Sequence, residues 1–178
     1  MLHSFFGKPL RIYLESSNGH CGFRSLANQI YLLSGCRISH KDIRKQAFEY
    51  FLQKAFFKDF FDENDYNTYV TNHREVIETN NISDNSCGSA GWIDNYLLQC
   101  VSELKKVTIC VFSYKSIMDK EYYPSYISYD GNDCIGACNL LHWGKHYDTI
   151  LVKPDTKYNE EIFEHLLQNC DRRGNSSA

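Results

Sequence analysis

The sequence predicts an α+β fold, helices first and strands after, with a small central, mostly antiparallel β-sheet packed by helices. Three observations carry that reading. Apolar residues recur at helical spacing through most of residues 21–104. The run Val107-Thr108-Ile109-Cys110-Val111-Phe112 is β-branched and nearly all apolar, as a buried strand requires. Two further apolar runs, 140–143 and 146–152, are separated by Gly144-Lys145, which reads as a hairpin.

Residues 1–15 read as a short extended lead-in whose apolar part is Ile12, Tyr13 and Leu14. The polar stretch Glu15-Ser16-Ser17-Asn18-Gly19-His20 consists of turn formers. A helix begins near Cys21, with Phe23, Leu26, Ala27, Ile30 and Leu33 along one face, and Gly35 ends it. Ser39, with Asp42 three residues on, starts a second helix that carries Ile43, Ala47, Tyr50 and Phe51 and is expected to run to about Phe57. A third helical stretch covers Glu63 to Ile77, a polar loop follows over 79–91, and a fourth helix is expected over Trp92 to Leu104. After the buried strand, Tyr126–Tyr129 reads as a short strand closed by the turn Asp130-Gly131-Asn132-Asp133. Glu160 to Leu167 reads as a last helix. The polar end beyond 170 reads as a flexible tail, leaving residues 1–170 as a single domain.

Composition bounds the function. The chain of 178 residues is long enough to bury a core without a disulfide or a metal. The formal charge of −3 offers no basic footprint for nucleic acid, and no lysine or arginine run suggests an anionic membrane. No stretch has the length and apolar character of a membrane span. The first residues lack the basic and long apolar regions of a secretory signal, so a cytosolic setting is expected. There the eight cysteines would be reduced, most of them buried as small hydrophobes.

One cysteine stands apart. Cys21 follows a glycine-containing turn and opens a helix, where the partial positive charge of the helix terminus favours a thiolate. The turn leaves backbone N–H groups around Asn18, Gly19 and His20 that can point at a developing oxyanion. His146 lies far downstream at the mouth of a strand, and Asp148, two residues on, shares its face. Nucleophile on a helix and base on a strand, joined only by folding, is the pattern of a cysteine–histidine hydrolase. Asp148 would then orient the imidazole.

Asn18-Gly19-His20-Cys21-Gly22-Phe23-Arg24 resembles the Asp-Gly-Asn-Cys-x-Phe-Arg block of the ovarian-tumour (OTU) family of deubiquitinating cysteine proteases, and Leu141 to Ile150 resembles that family's His block. Between them Trp92, followed by a helix and an apolar strand, is similar to its middle block. The resemblance implies a papain-like fold and hydrolysis after the C-terminal Gly-Gly of ubiquitin through a thioester. It implies Cys21 as nucleophile, His146 as base, Asp148 as orienting residue and the 18–21 turn as oxyanion hole. Trp143 and Trp92 become substrate-binding candidates, ubiquitin and ubiquitinated proteins the partners, and no cofactor is expected. The sequence departs from the family pattern at Asn18 for Asp, His20 for Asn and Gly22 for a larger residue, and Trp92 lacks a following Gly pair. The third catalytic group therefore stays open between Asp148 and Asn18.

Besides a thioesterase or transferase using the same Cys–His pair on another substrate, two alternatives remain at this level. Cys134, Cys138, His142 and His146 recur every four residues and could hold zinc if that stretch were helical. A ubiquitin-binding module without turnover is the other.

Overall fold

The computed structural model describes residues 2–5, 8–13, 15, 19–80, 91–113, 125–143 and 146–151, with side chains for 15, 19–80, 91–112, 125–142 and 146–150. Two strands come first, β1 (Leu2–Phe5) and β2 (Lys8–Tyr13). Helices α1 (Cys21–Ser34), α2 (His40–Gln53), α3 (Ala55–Lys58), α4 (Glu63–Thr79) and α5 (Asn95–Lys105) follow. Four strands close the described chain: β3 (Val107–Ser113), β4 (Ser125–Ile127), β5 (Gly136–Trp143) and β6 (His146–Leu151). One sheet holds all six in the order β1-β2-β6-β5-β3-β4. Only the β3–β5 pair is parallel, so the α+β, mostly antiparallel reading holds.

The helix boundaries follow local chemistry. Gly35 takes the left-handed conformation after α1, at φ 71°, and its N–H returns to Tyr31 O. Ser39 caps α2 by accepting from Asp42 N at 3.1 Å. α2 was expected to reach Phe57, but it stops at Gln53, Lys54 is extended, and α3 starts afresh. In an unbroken helix Phe57 would point about a third of a turn away from Phe51. The break instead stacks their rings at 5.0 Å, and Phe57 is buried. α5 begins three residues later than expected. Asp94 caps it by accepting from Leu97 N at 2.9 Å, which leaves Trp92 and Ile93 in the segment before the helix.

Within the expected lead-in over 1–15, residues 2–5 and 8–13 are strands of the sheet. β2 pairs with β1 on one side and, through Arg11, Ile12 and Tyr13, with β6 on the other. Pro9, which argues against a strand in sequence, falls opposite Ser4 ahead of the residues that join β6. The later strands occur in the expected order, though β4 covers Ser125–Ile127 and does not run to Tyr129, and β5 starts at Gly136, four residues before the run that announced it. The expected helix over 160–167 and the tail lie outside the described residues.

The core lies between the helices and the sheet. Phe51 is its centre, with Phe57, Tyr69 and Tyr66 rings around it and Leu26, Leu97, Leu98 and Leu140 fully buried nearby. Cys100 and Cys138 are buried there and Cys110 is buried outside that cluster, and desolvation pushes their thiols up to about 12, 12 and 11. Leu33 stays at the surface, where its side chain is met by Gly136. A side-chain clamp fixes α1 to the sheet. Gln29 donates to Asn139 O and accepts from Asn139 N at 2.6 Å, as a neighbouring strand would, just before the stretch of β5 that pairs with β6.

Candidate active site

α1 is aimed at the β5–β6 hairpin by its first turn. Gly19 has φ 75°, the left-handed region that glycine enters without penalty, and the chain then turns directly into the helix. His20 is the N-cap residue, and its carbonyl accepts from Arg24 N at 3.0 Å. Its side chain makes no cap bond, so the first-turn amides beside Cys21 carry no side-chain acceptor from the cap. Cys21 is buried at 4% exposure. Gly22 brings the helix close to its neighbours: a Cβ there would overlap Ile93 Cγ2 and lie 3.2 Å from Tyr147 Cδ2.

The hairpin supplies the other half. Trp143 and His146 are the closing pair of β5 and β6. Tyr147 N donates to Cys21 Sγ at 3.4 Å, which seats the thiol against the start of β6. His146 Nε2 stands 3.0 Å from Asp148 Oδ1, with the carboxylate fully buried. The bond to Asp148 is the larger cause, and a bond with the Cys21 thiol the next, that push His146 up to about 9 against the opposing effect of burial. With Nε2 engaged by Asp148, Nδ1 is the ring nitrogen left for sulfur. The arrangement provides a thiol, an imidazole that holds its proton at neutral pH, and a buried anion that orients the ring.

Asp148 is itself held. Its Oδ1 also accepts from Glu15 N at 2.9 Å, and the Glu15 side chain is anchored by Asn28 Nδ2 at 2.8 Å and Thr149 Oγ1 at 3.2 Å. Burial raises the Glu15 carboxyl, against those two hydrogen bonds. Nothing in the sequence singles out Glu15, because its partners are far along the chain. Arg44 is a second residue sequence reasoning passed over. It contacts His20, and its signal was available: 44, 47, 48 and 51 fall on one helical face, so a cation sits among buried positions.

The remaining candidates are distributed as follows. Gly19 and His20 lie at the turn into α1, whereas Asn18 lies outside the described residues. Trp92 is half-buried in the segment before α5, adjacent to Ile93, which touches the position of Gly22. Trp143 ends β5 on the backbone, and its side chain lies outside those described. The zinc alternative loses its basis. Cys138 and His142 lie on a strand, where four residues span about 13 Å. Among the described residues, no three His, Cys, Asp or Glu side chains cluster as a metal site.

No family model and no curated protein matches the sequence. Solved structures do resemble the chain. An ovarian-tumour (OTU) domain in complex with ubiquitin superposes with a TM-score of 0.58 at 15% identity, covering 90% of this chain and 84% of that one. An OTU deubiquitinase from Wolbachia pipientis wMel gives 0.56 at 15% identity over 88% and 96% of the two chains. The viral OTU domain protease from Taggert virus gives 0.50 at 18% identity over 84% and 83%. With Cys21 opening the first helix and His146 opening the last described strand, the chain has the fold of the OTU domains.

Proposed function

We propose that this chain is a cysteine-type deubiquitinase that hydrolyses isopeptide or peptide bonds after the C-terminal Gly-Gly of ubiquitin. The observation that carries the reading is the contact of Cys21 with the β6 strand that bears His146 and Asp148. The scaffold around it is one that, in a solved relative by fold, is seen in complex with ubiquitin.

In this mechanism the Cys21 thiolate attacks the carbonyl carbon of the scissile bond. The turn before Cys21, with Asn18, Gly19 and His20, and the first amides of α1 receive the oxyanion. Protonated His146 gives its proton to the leaving amine as the C–N bond breaks, leaving a thioester on Cys21. His146, now neutral, takes a proton from water as it attacks the thioester, and the thiolate departs. Asp148 keeps the ring oriented throughout. Trp143 and Trp92 wall the channel that admits the ubiquitin tail. No cofactor takes part. The cytosol is the compartment that suits a thiol enzyme whose described cysteines are all free.

A ubiquitin probe with a C-terminal electrophile tests the reading. It should form a covalent adduct with the wild-type chain and none with Cys21→Ala. Labelling that persists in Cys21→Ala removes Cys21 as nucleophile. Ubiquitin binding without any adduct in the wild type would instead favour a binding module. A panel of ubiquitin dimers then reports the linkage cut.

A further inference from the structure

Arg44 is buried at 2% exposure on α2, and among the described residues it is in no ion pair. A guanidinium in that position is costly unless its donors are used. Two of its three nitrogens are used, on segments that meet at the nucleophile, while Nε has no hydrogen-bond partner among the described residues. Nη2 lies 3.0 Å from His20 Nδ1, and Nη1 donates to Gly91 O. The guanidinium also covers the Phe23 ring at 4.4 Å, two residues after Cys21.

The geometry points to Arg44 as a positioning residue of the active site: one fork of hydrogen bonds ties the turn that precedes Cys21 to the 91–93 segment that packs beside it. The inference rests on Cys21 being the nucleophile. Arginine can only donate, so His20 Nδ1 must accept and the proton sits on Nε2. Burial first, and the Arg44 charge next, push His20 down to about 4 and keep it a neutral acceptor. The other arm reaches Gly91, whose left-handed φ of 82° and close packing on Val76 fix the carbonyl. Two residues on, Ile93 touches Gly22. One side chain thus braces the residue before the nucleophile and the wall beside the residue after it. Burial lowers Arg44 to about 10, which leaves it charged at neutral pH, and the Cys21 charge acts to raise it.

The test compares Arg44→Met, which removes fork and charge, with Arg44→Lys, which keeps charge without the fork. Variants are first checked by circular dichroism and thermal melting. In a fluorogenic ubiquitin C-terminal amide assay, both should lower kcat about tenfold or more with KM within about twofold, because misplaced reacting groups cost rate rather than remote binding. Wild-type kcat in Arg44→Lys would show that charge suffices and would overturn the fork. Wild-type kcat in Arg44→Met would overturn the role altogether. Should Arg44→Met not fold, a cycle with His20→Phe decides the matter. Arg44→Lys should have little further effect in that background, and fully additive losses would count against the brace. Alkylation of Cys21 by iodoacetamide, followed on its own peptide by mass spectrometry, separates this proposal from the deubiquitinase reading. If the wild type cleaves no ubiquitin substrate, that reading fails, yet Arg44→Lys should still change the Cys21 alkylation rate about threefold or more. An unchanged rate would remove Arg44 from the site.

Discussion

His146 Nε2 and Asp148 Oδ1 lie 3.0 Å apart on one face of β6, and that contact is the largest cause of the imidazole's raised hold on its proton. With the Asp148 bond as the largest cause and the Cys21 bond next, His146 is raised from 6.5 to about 9. Activity should therefore hold through neutral pH and fall as pH rises through about 9, where the proton for the leaving amine is lost. Asp148→Asn should move that alkaline limb towards 6.5. His146→Ala should cost roughly 10²–10⁴-fold in kcat, the usual contribution of a positioned acid–base group. Asp148→Ala should cost less. The stability sign follows from the same shift. A histidine raised on folding stabilises fully below about 6.5, and that contribution is lost as pH rises through about 9. A kcat/KM profile with an unchanged alkaline limb in Asp148→Asn would assign the third role elsewhere, Asn18 first.

Three other histidines act with the opposite sign, His40 among them, lowered by burial. Burial pushes His20 down to about 4 and His73 down to about 3. Unfolded histidine takes up its proton near 6.5, so the unfolded state gains protons first as pH falls. Their contribution is complete above about 6.5 and is lost progressively towards 4 and 3. Urea denaturation midpoints should fall steadily from pH 6.5 to 4. His73→Phe, which keeps the ring stacking on Phe48 and Tyr69, should flatten that limb. An equally steep limb in that variant would place the acid sensitivity elsewhere.

Gly22→Ala should destabilise the chain by about 1–3 kcal/mol, the cost of overpacking. The added methyl meets Ile93 Cγ2, so the double variant with Ile93→Ala should lose less than the sum of the two single losses. Because Cys21 is the adjacent residue, alkylation of its thiol should change in the single variant and return in the double one. Additive losses in the double variant would mean that Ile93 is not the obstacle.

Gln29→Leu should strand the N–H and carbonyl of Asn139 in the interior, at about 1–3 kcal/mol for each unpaired group. Chemical denaturation measures it. A loss below 0.5 kcal/mol, a rough lower bound for one hydrogen bond, would show that β5 finds another partner there.

Much of this was legible in the chain itself. The α1 boundaries, the Ser39 cap, the buried β3 run and the antiparallel pairing of β5 with β6 are local events, written in apolar spacing, caps and turn residues that neighbours in sequence can satisfy. Cys21, His146 and Asp148 were readable as candidates because a helix start and an i, i+2 strand pair are also local. What stayed hidden has partners distant in sequence. The strands β1 and β2 look unpromising until β6 offers an edge to residues 11–13. The break of α2 at Lys54 is the exception: Phe57 stacks on Phe51, close in sequence, within the packed core. Glu15 matters through Asp148, 133 residues away, and Gln29 through Asn139, 110 residues away. The sequence by itself determined which side chains could do chemistry and which local elements carry them. Only the tertiary structure decided which of them meet, and what holds them, because burial and long-range hydrogen bonding set the protonation of His146 and His20 and seat the thiol of Cys21 against β6.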